Sequence, residues 1–75
     1  MEKSNALIRF GENIRRYREG LGLSQEALAF ESKLDRTYIG GAERGERNLT
    51  ILSAIKLAEA LKVSLSELTE GVGNA

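Results

Sequence analysis

Apolar residues recur at intervals of three and four near the start of the chain: Leu7, Phe10, Ile14, Tyr17 and Leu21. That spacing lines them up on one stripe of an α-helix, predicted over about Ala6–Glu19. Gly20 and Gly22 end it, as residues that accept positive φ at a helix terminus. Ser24 is placed to cap a second helix through its hydroxyl, Gln25–Glu31, with Leu28 and Ala29 facing inward. Ser32–Leu34 is the connection. Asp35 caps a third helix, where its carboxylate also meets the positive end of the helix dipole. Tyr38, Ile39 and Ala42 give that helix a buried face, and Gly45 closes it. After a loop at Glu46–Leu49, Thr50 caps a fourth helix from Ile51 to about Leu61. Ser64 caps a short fifth over Leu65–Thr69. Gly71–Ala75 is small and polar and reads as a frayed tail. The chain has no Pro and no alternating run of β-branched residues. The fold class is all-α, five helices around one core, in a single domain spanning residues 1–75.

The fourth helix carries more apolar surface than one core face needs. Ile51, Ala54, Ala58 and Leu61 form one stripe. Leu52 and Ile55 form a second, which Leu65 extends. Small monomers rarely leave such a patch uncovered, so the second stripe is the expected interface with another copy of the chain. The competing arrangement uses some of these residues in the chain's own core and puts Leu57 outside.

Seventy-five residues suffice for one small domain with a narrow stability margin. With no Cys and no His, disulfides, thiolate metal sites and the usual general base are excluded, and no nucleophile–base set remains. An enzyme is not expected, nor a cofactor, a metal or a small-molecule ligand. No apolar run approaches the roughly 20 residues that span a bilayer, and nothing at the N-terminus reads as a secretory signal, so no membrane association is expected and a cytoplasmic location is. Eleven basic and eleven acidic residues cancel. The basic ones are unevenly spread, with Arg15, Arg16 and Arg18 on the first helix and Arg36, Arg44 and Arg47 in and after the third.

That distribution changes how the second and third helices read. Two short helices with a tight connection are a helix-turn-helix, in which the second member enters the DNA major groove and the first crosses the phosphates. Arg36, Thr37, Gly40 and Gly41 are the expected exposed, base-facing positions of the third helix. A guanidinium fork such as that of Arg36 can bond guanine O6 and N7 together, worth roughly 1–3 kcal/mol of discrimination. Gly40 and Gly41 each cost about 1 kcal/mol relative to Ala inside a helix. They either let the backbone approach DNA or relieve crowding against another helix. Gln25, Tyr38, Arg44, Arg47 and Asn48 are candidate phosphate ligands. Arg15 and Arg16 are too, although a solvated surface accounts for them equally simply. Arg18 lies on the apolar stripe and Glu43 on the inner side of the third helix, so the two are expected to form a partly buried structural ion pair.

The same residues carry a family resemblance. Ser24-Gln25, Leu28-Ala29, Tyr38-Ile39, Glu43-Arg44-Gly45 and Arg47-Asn48 resemble the lambda-repressor-like helix-turn-helix family, the Cro/C1-type and xenobiotic-response-element regulators, from about Phe10 to Leu68. Leu34–Ile39 and Arg47–Ile51 look most like controller proteins of restriction–modification systems. The resemblance implies a compact five-helix DNA-binding domain and a homodimer on a palindromic double-stranded operator. It implies activation and repression of its own operon, with RNA polymerase as a further partner, and base reading by Arg36 and Thr37 with Tyr38 at the DNA edge. Ala42 stands where the family usually has a bulky apolar residue, and the Gly40-Gly41 pair departs from controller-like sequences. Helices of this fold also serve as protein-interaction or antitoxin-like modules, which the zero net charge fits.

Overall fold

A computed structural model describes residues 4–74; residues 1–3 and Ala75, the extreme ends of the 1–75 domain reading, lie outside the described residues. Helices α1 (Asn5–Gly20), α2 (Gln25–Ser32), α3 (Arg36–Glu43), α4 (Ile51–Leu61) and α5 (Leu65–Leu68) follow in order, then a 3-10 turn at Val72–Asn74. Each helix starts at a side chain that accepts a backbone N–H: Ser4, Ser24, Asp35, Thr50 and Ser64. Their oxygens satisfy donors that the first turn of a helix leaves without partners. Ser64 and Glu67 complete a reciprocal capping box.

The helix ends differ from expectation in one respect. Gly22 takes positive φ, 72°, after α1, whereas Gly20 is the last helical residue. After α2 and α4 the same left-handed position is filled by Lys33 and Lys62, both at φ 61°. In each case the following residue donates to a carbonyl five positions back, Leu34 to Ala29 and Val63 to Ala58, which draws in the last turn without a glycine. α2 therefore runs one residue further than expected, to Ser32, and Thr69 caps α5 rather than belonging to it.

Phe10, Ile14, Leu28, Ala29, Ile39, Ala42, Ala54, Leu57, Ala58, Leu61 and Leu68 form the core, with Tyr17, Leu34, Leu49, Ala60, Val63, Leu65 and Val72 packed around it. Two expected core positions are corrected. Leu21 is exposed, because the chain has already turned at the α1 terminus. Ile51 is 68% exposed while Leu57 is fully buried, so the buried stripe of α4 is Ala54, Leu57, Ala58 and Leu61. After α5 the chain returns to α1. Asn13 is buried in α1 and donates to the carbonyls of Leu68 and Glu70 at 2.9 Å each, and Arg9 Nε donates to Glu70 O at 3.3 Å. These bonds hold the end of α5 and Glu70 on α1, and Val72 of the 3-10 turn packs against the core.

At Gly11, α1 meets the end of α3 with no side chain between them. A Cβ on Gly11 would lie 2.4 Å from Ala42 O and 2.5 Å from Glu43 O. At the far end of the same contact, Gly45 (φ 74°) lies against Ile8. The end of α3 is thus seated directly on the α1 backbone.

Candidate nucleic-acid interface

α3 begins at a cap and ends at a clamp. Asp35 Oδ2 accepts from Thr37 N at 2.9 Å, and Arg36 and Thr37, just inside the start, are exposed. Seven residues later Glu43 turns inward, its side chain only 4% exposed. Arg18 meets it with two parallel bonds, Nε to Oε2 at 2.6 Å and Nη2 to Oε1 at 3.1 Å. The remaining nitrogen, Nη1, donates to Leu23 O at 2.8 Å. Arg18 is itself 12% exposed. The hydrogen bonds to Glu43 raise its pKa, outweighing the burial that lowers it; the guanidinium stays charged. A fork-to-fork pair of this kind fixes orientation as well as distance. It connects α1, the α1–α2 turn and α3.

Gln25 joins the same clamp. Its Nε2 donates to Glu43 Oε1 at 3.1 Å, so its amide is turned into the protein. The amide nitrogen carries a second N–H, which this bond leaves for the expected contact with a phosphate. Gln25 thereby also binds α2 to α3, a role the residue pattern did not indicate.

Gly40 and Gly41 are not exposed, correcting the expectation for those two positions. Both are buried, beneath side chains that arrive from further along the chain. Arg44 reaches back so that Nη1 lies 3.1 Å from the place of a Gly40 Cβ, and Arg47 Cγ lies 2.9 Å from that of Gly41. Arg44 Nε also bonds Glu46 Oε1 at 3.0 Å. The Arg47 guanidinium stacks over the half-buried Tyr38 ring, 5.7 Å from its centroid, a distance at which the ring face attracts a cation. Asn48 is exposed beside them. Arg36, Thr37, Tyr38, Arg44 and Arg47 thus gather along and beside one helix.

On α1 the remaining arginines are more ordinary. Arg15 pairs with Glu19 at 3.1 Å on the surface, and Arg16 stacks over Tyr17 at 5.1 Å. Leu52 (71% exposed) and Ile55 (37% exposed) lie with Ile51 on the open face of α4, while Leu65 is half-buried against the chain's own core.

A capped, exposed helix start, a partner helix lying across it and a run of arginines alongside define a DNA-binding helix-turn-helix protein. The chain belongs to the helix-turn-helix family, whose model matches residues 14–68. Within it, the chain groups with the controller proteins of restriction–modification systems. It is 54% identical to the control protein C.SmaI of Serratia marcescens over 57 residues, 76% of this chain and 68% of that one. The crystal structure of the restriction–modification controller protein C.AhdI from Aeromonas hydrophila superposes with a TM-score of 0.81 at 52% identity, covering 83% of this chain and 94% of that one. The controller protein C.Esp1396I, solved as a tetramer with its natural 35 base-pair operator, gives a TM-score of 0.84 at 40% identity, covering 96% and 95%.

Proposed function

We propose that this protein is a homodimeric controller of a restriction–modification system, binding a palindromic double-stranded operator to activate and repress its own operon. The observation that carries the reading is the exposed start of α3. Arg36 and Thr37 project from a capped helix end while the other end is anchored through Glu43. Arg36 reads a guanine edge and Thr37 a neighbouring base. Tyr38, Arg44, Arg47 and Asn48, with Arg15 and Arg16 further out, supply charge and hydrogen bonds that set register on the backbone. Leu52 and Ile55, joined by Ile51, form the dimer surface, and Leu65 contributes from its edge. A two-fold axis there repeats the recognition helix about one DNA turn away, roughly 34 Å.

The role is regulatory rather than catalytic and is exercised in the cytoplasm, with RNA polymerase as the further partner at the activated promoter. Among the described residues no helix is long and apolar enough to cross a membrane. The deciding experiment is selection of bound DNA from a random pool at a stated salt concentration, with Arg36→Ala in parallel. Loss of preference at one base position per half-site, with about a tenfold or greater fall in affinity, is expected. An unchanged preference would remove Arg36 from base reading.

A further inference from the structure

The end of α3 sets one carboxylate among the arginines of the DNA face. Gly45 takes positive φ, 74°, and the next residue, Glu46, donates its backbone N–H to Gly41 O at 2.9 Å. That bond closes the last turn of α3 and fixes the Glu46 backbone against it. The side chain of Glu46 meets Arg44 there, Oε1 accepting from Nε at 3.0 Å. The Arg44 arm lies back over Gly40, with Nη1 3.1 Å from the place of a Cβ. Both partners are open to water, so the pair adds little to stability. Its place matters more: Glu46 stands in the chain between Arg44 and Arg47, two of the residues assigned above to the DNA backbone.

We propose that Glu46 attenuates DNA affinity: its carboxylate is the counter-ion that a DNA phosphate must displace from Arg44, and it limits how tightly the protein holds any duplex without changing which bases it prefers. This rests on the DNA-binding reading above. A carboxylate and a phosphate oxygen compete for the same guanidinium donors. Once the phosphate has taken the arm, the carboxylate remains beside the DNA backbone, where like charges repel. Eleven basic and eleven acidic residues leave no net charge, so no overall field draws the chain to DNA, and binding falls to a few local arginines. A single carboxylate therefore weighs heavily in that balance. It raises the protein concentration at which an operator fills, and it does so equally for every sequence, because phosphates carry no base identity.

The test measures Kd across a salt series for the wild type, Glu46→Gln, Arg44→Gln and the double variant. The duplexes are the selected operator and a scrambled sequence of equal length, and each chain is also checked by circular dichroism. Glu46→Gln should fold, bind both duplexes about two- to fivefold more tightly, and show a log Kd against log salt slope steeper by about one. Selection from a random pool should return the wild-type base preference. In the Arg44→Gln background the same change should gain less, because no arm remains to be released. Affinity that is unchanged or lower in Glu46→Gln overturns the proposal. So does a gain as large without Arg44 as with it, a gain confined to the operator, or a Glu46→Gln chain that does not fold. A wild type that binds neither duplex removes the DNA-binding reading itself, an outcome distinct from each of these.

Discussion

Gly11→Ala and Gly20→Ala are the same substitution in the same helix, and they should act in opposite directions. At Gly11 the new Cβ would lie 2.4, 2.5 and 2.8 Å from Ala42 O, Glu43 O and Glu43 C. All three are backbone atoms, so no side chain can rotate away and α1 must separate from α3. Introducing a carbon into a tight contact costs about 1–3 kcal/mol, and rigid surroundings place this case toward the upper end. Better helix propensity returns about 1 kcal/mol. The net expectation is a loss of about 1–2 kcal/mol, or a fall in Tm of roughly 5–15 °C for a domain of this size. At Gly20 nothing lies within 4 Å of the added carbon, and only the propensity gain operates, up to about 1 kcal/mol. Thermal melts and urea titrations of both variants measure the difference. Operator affinity adds a second readout, because a displaced α3 no longer matches the groove; Gly11→Ala should bind more weakly even at temperatures where it is fully folded. A Gly11→Ala protein as stable as the wild type would refute the direct seating of α3 on α1.

Two other substitutions test the anchor and the dimer surface. Arg18→Met leaves the Glu43 carboxylate almost buried without its cationic partner and should cost about 3–5 kcal/mol in urea unfolding, much of which Arg18→Met/Glu43→Leu should recover, since the uncompensated charge is then gone. Leu52→Glu places a charge on the open face of α4, so the chain should keep its helical circular dichroism at low temperature yet sediment at half the mass; a variant that sediments as the wild type does would exclude that face as the interface.

Helix starts were legible because their chemistry is local. Ser24, Asp35, Thr50 and Ser64 each precede an apolar-periodic run, and each hydroxyl or carboxylate meets its own helix. Helix ends were less so: Lys33 and Lys62 carry no mark of the left-handed conformation they adopt. On α4, Ile51 and Leu57 are both apolar, and which one is buried depends on neighbouring elements rather than on periodicity. Gly11 and Asn13 could have been found. A glycine inside a helix needs a reason, and a polar residue between Phe10 and Ile14 on an apolar stripe must find a buried partner. The places of Arg44 and Arg47 were not legible, since those arms occupy space defined by glycines earlier in the chain.

These placements explain how a poor helix serves as the recognition element. α3 has eight residues, and two glycines remove about 2 kcal/mol of helix propensity relative to Ala. A helix this short is not stable alone. Its order comes from Ile39 and Ala42 in the core, from the backbone contact at Gly11 and from the carboxylate of Glu43, which Arg18 and Gln25 hold from two other helices. The N-terminal end has its own cap and remains open to a ligand. Anchoring one end and presenting the other permits sequence change at Arg36 and Thr37 without loss of fold. It also separates two kinds of damage. Variants at Arg18, Glu43 or Gly11 should lower stability and binding together, while variants at Arg36 should alter binding alone.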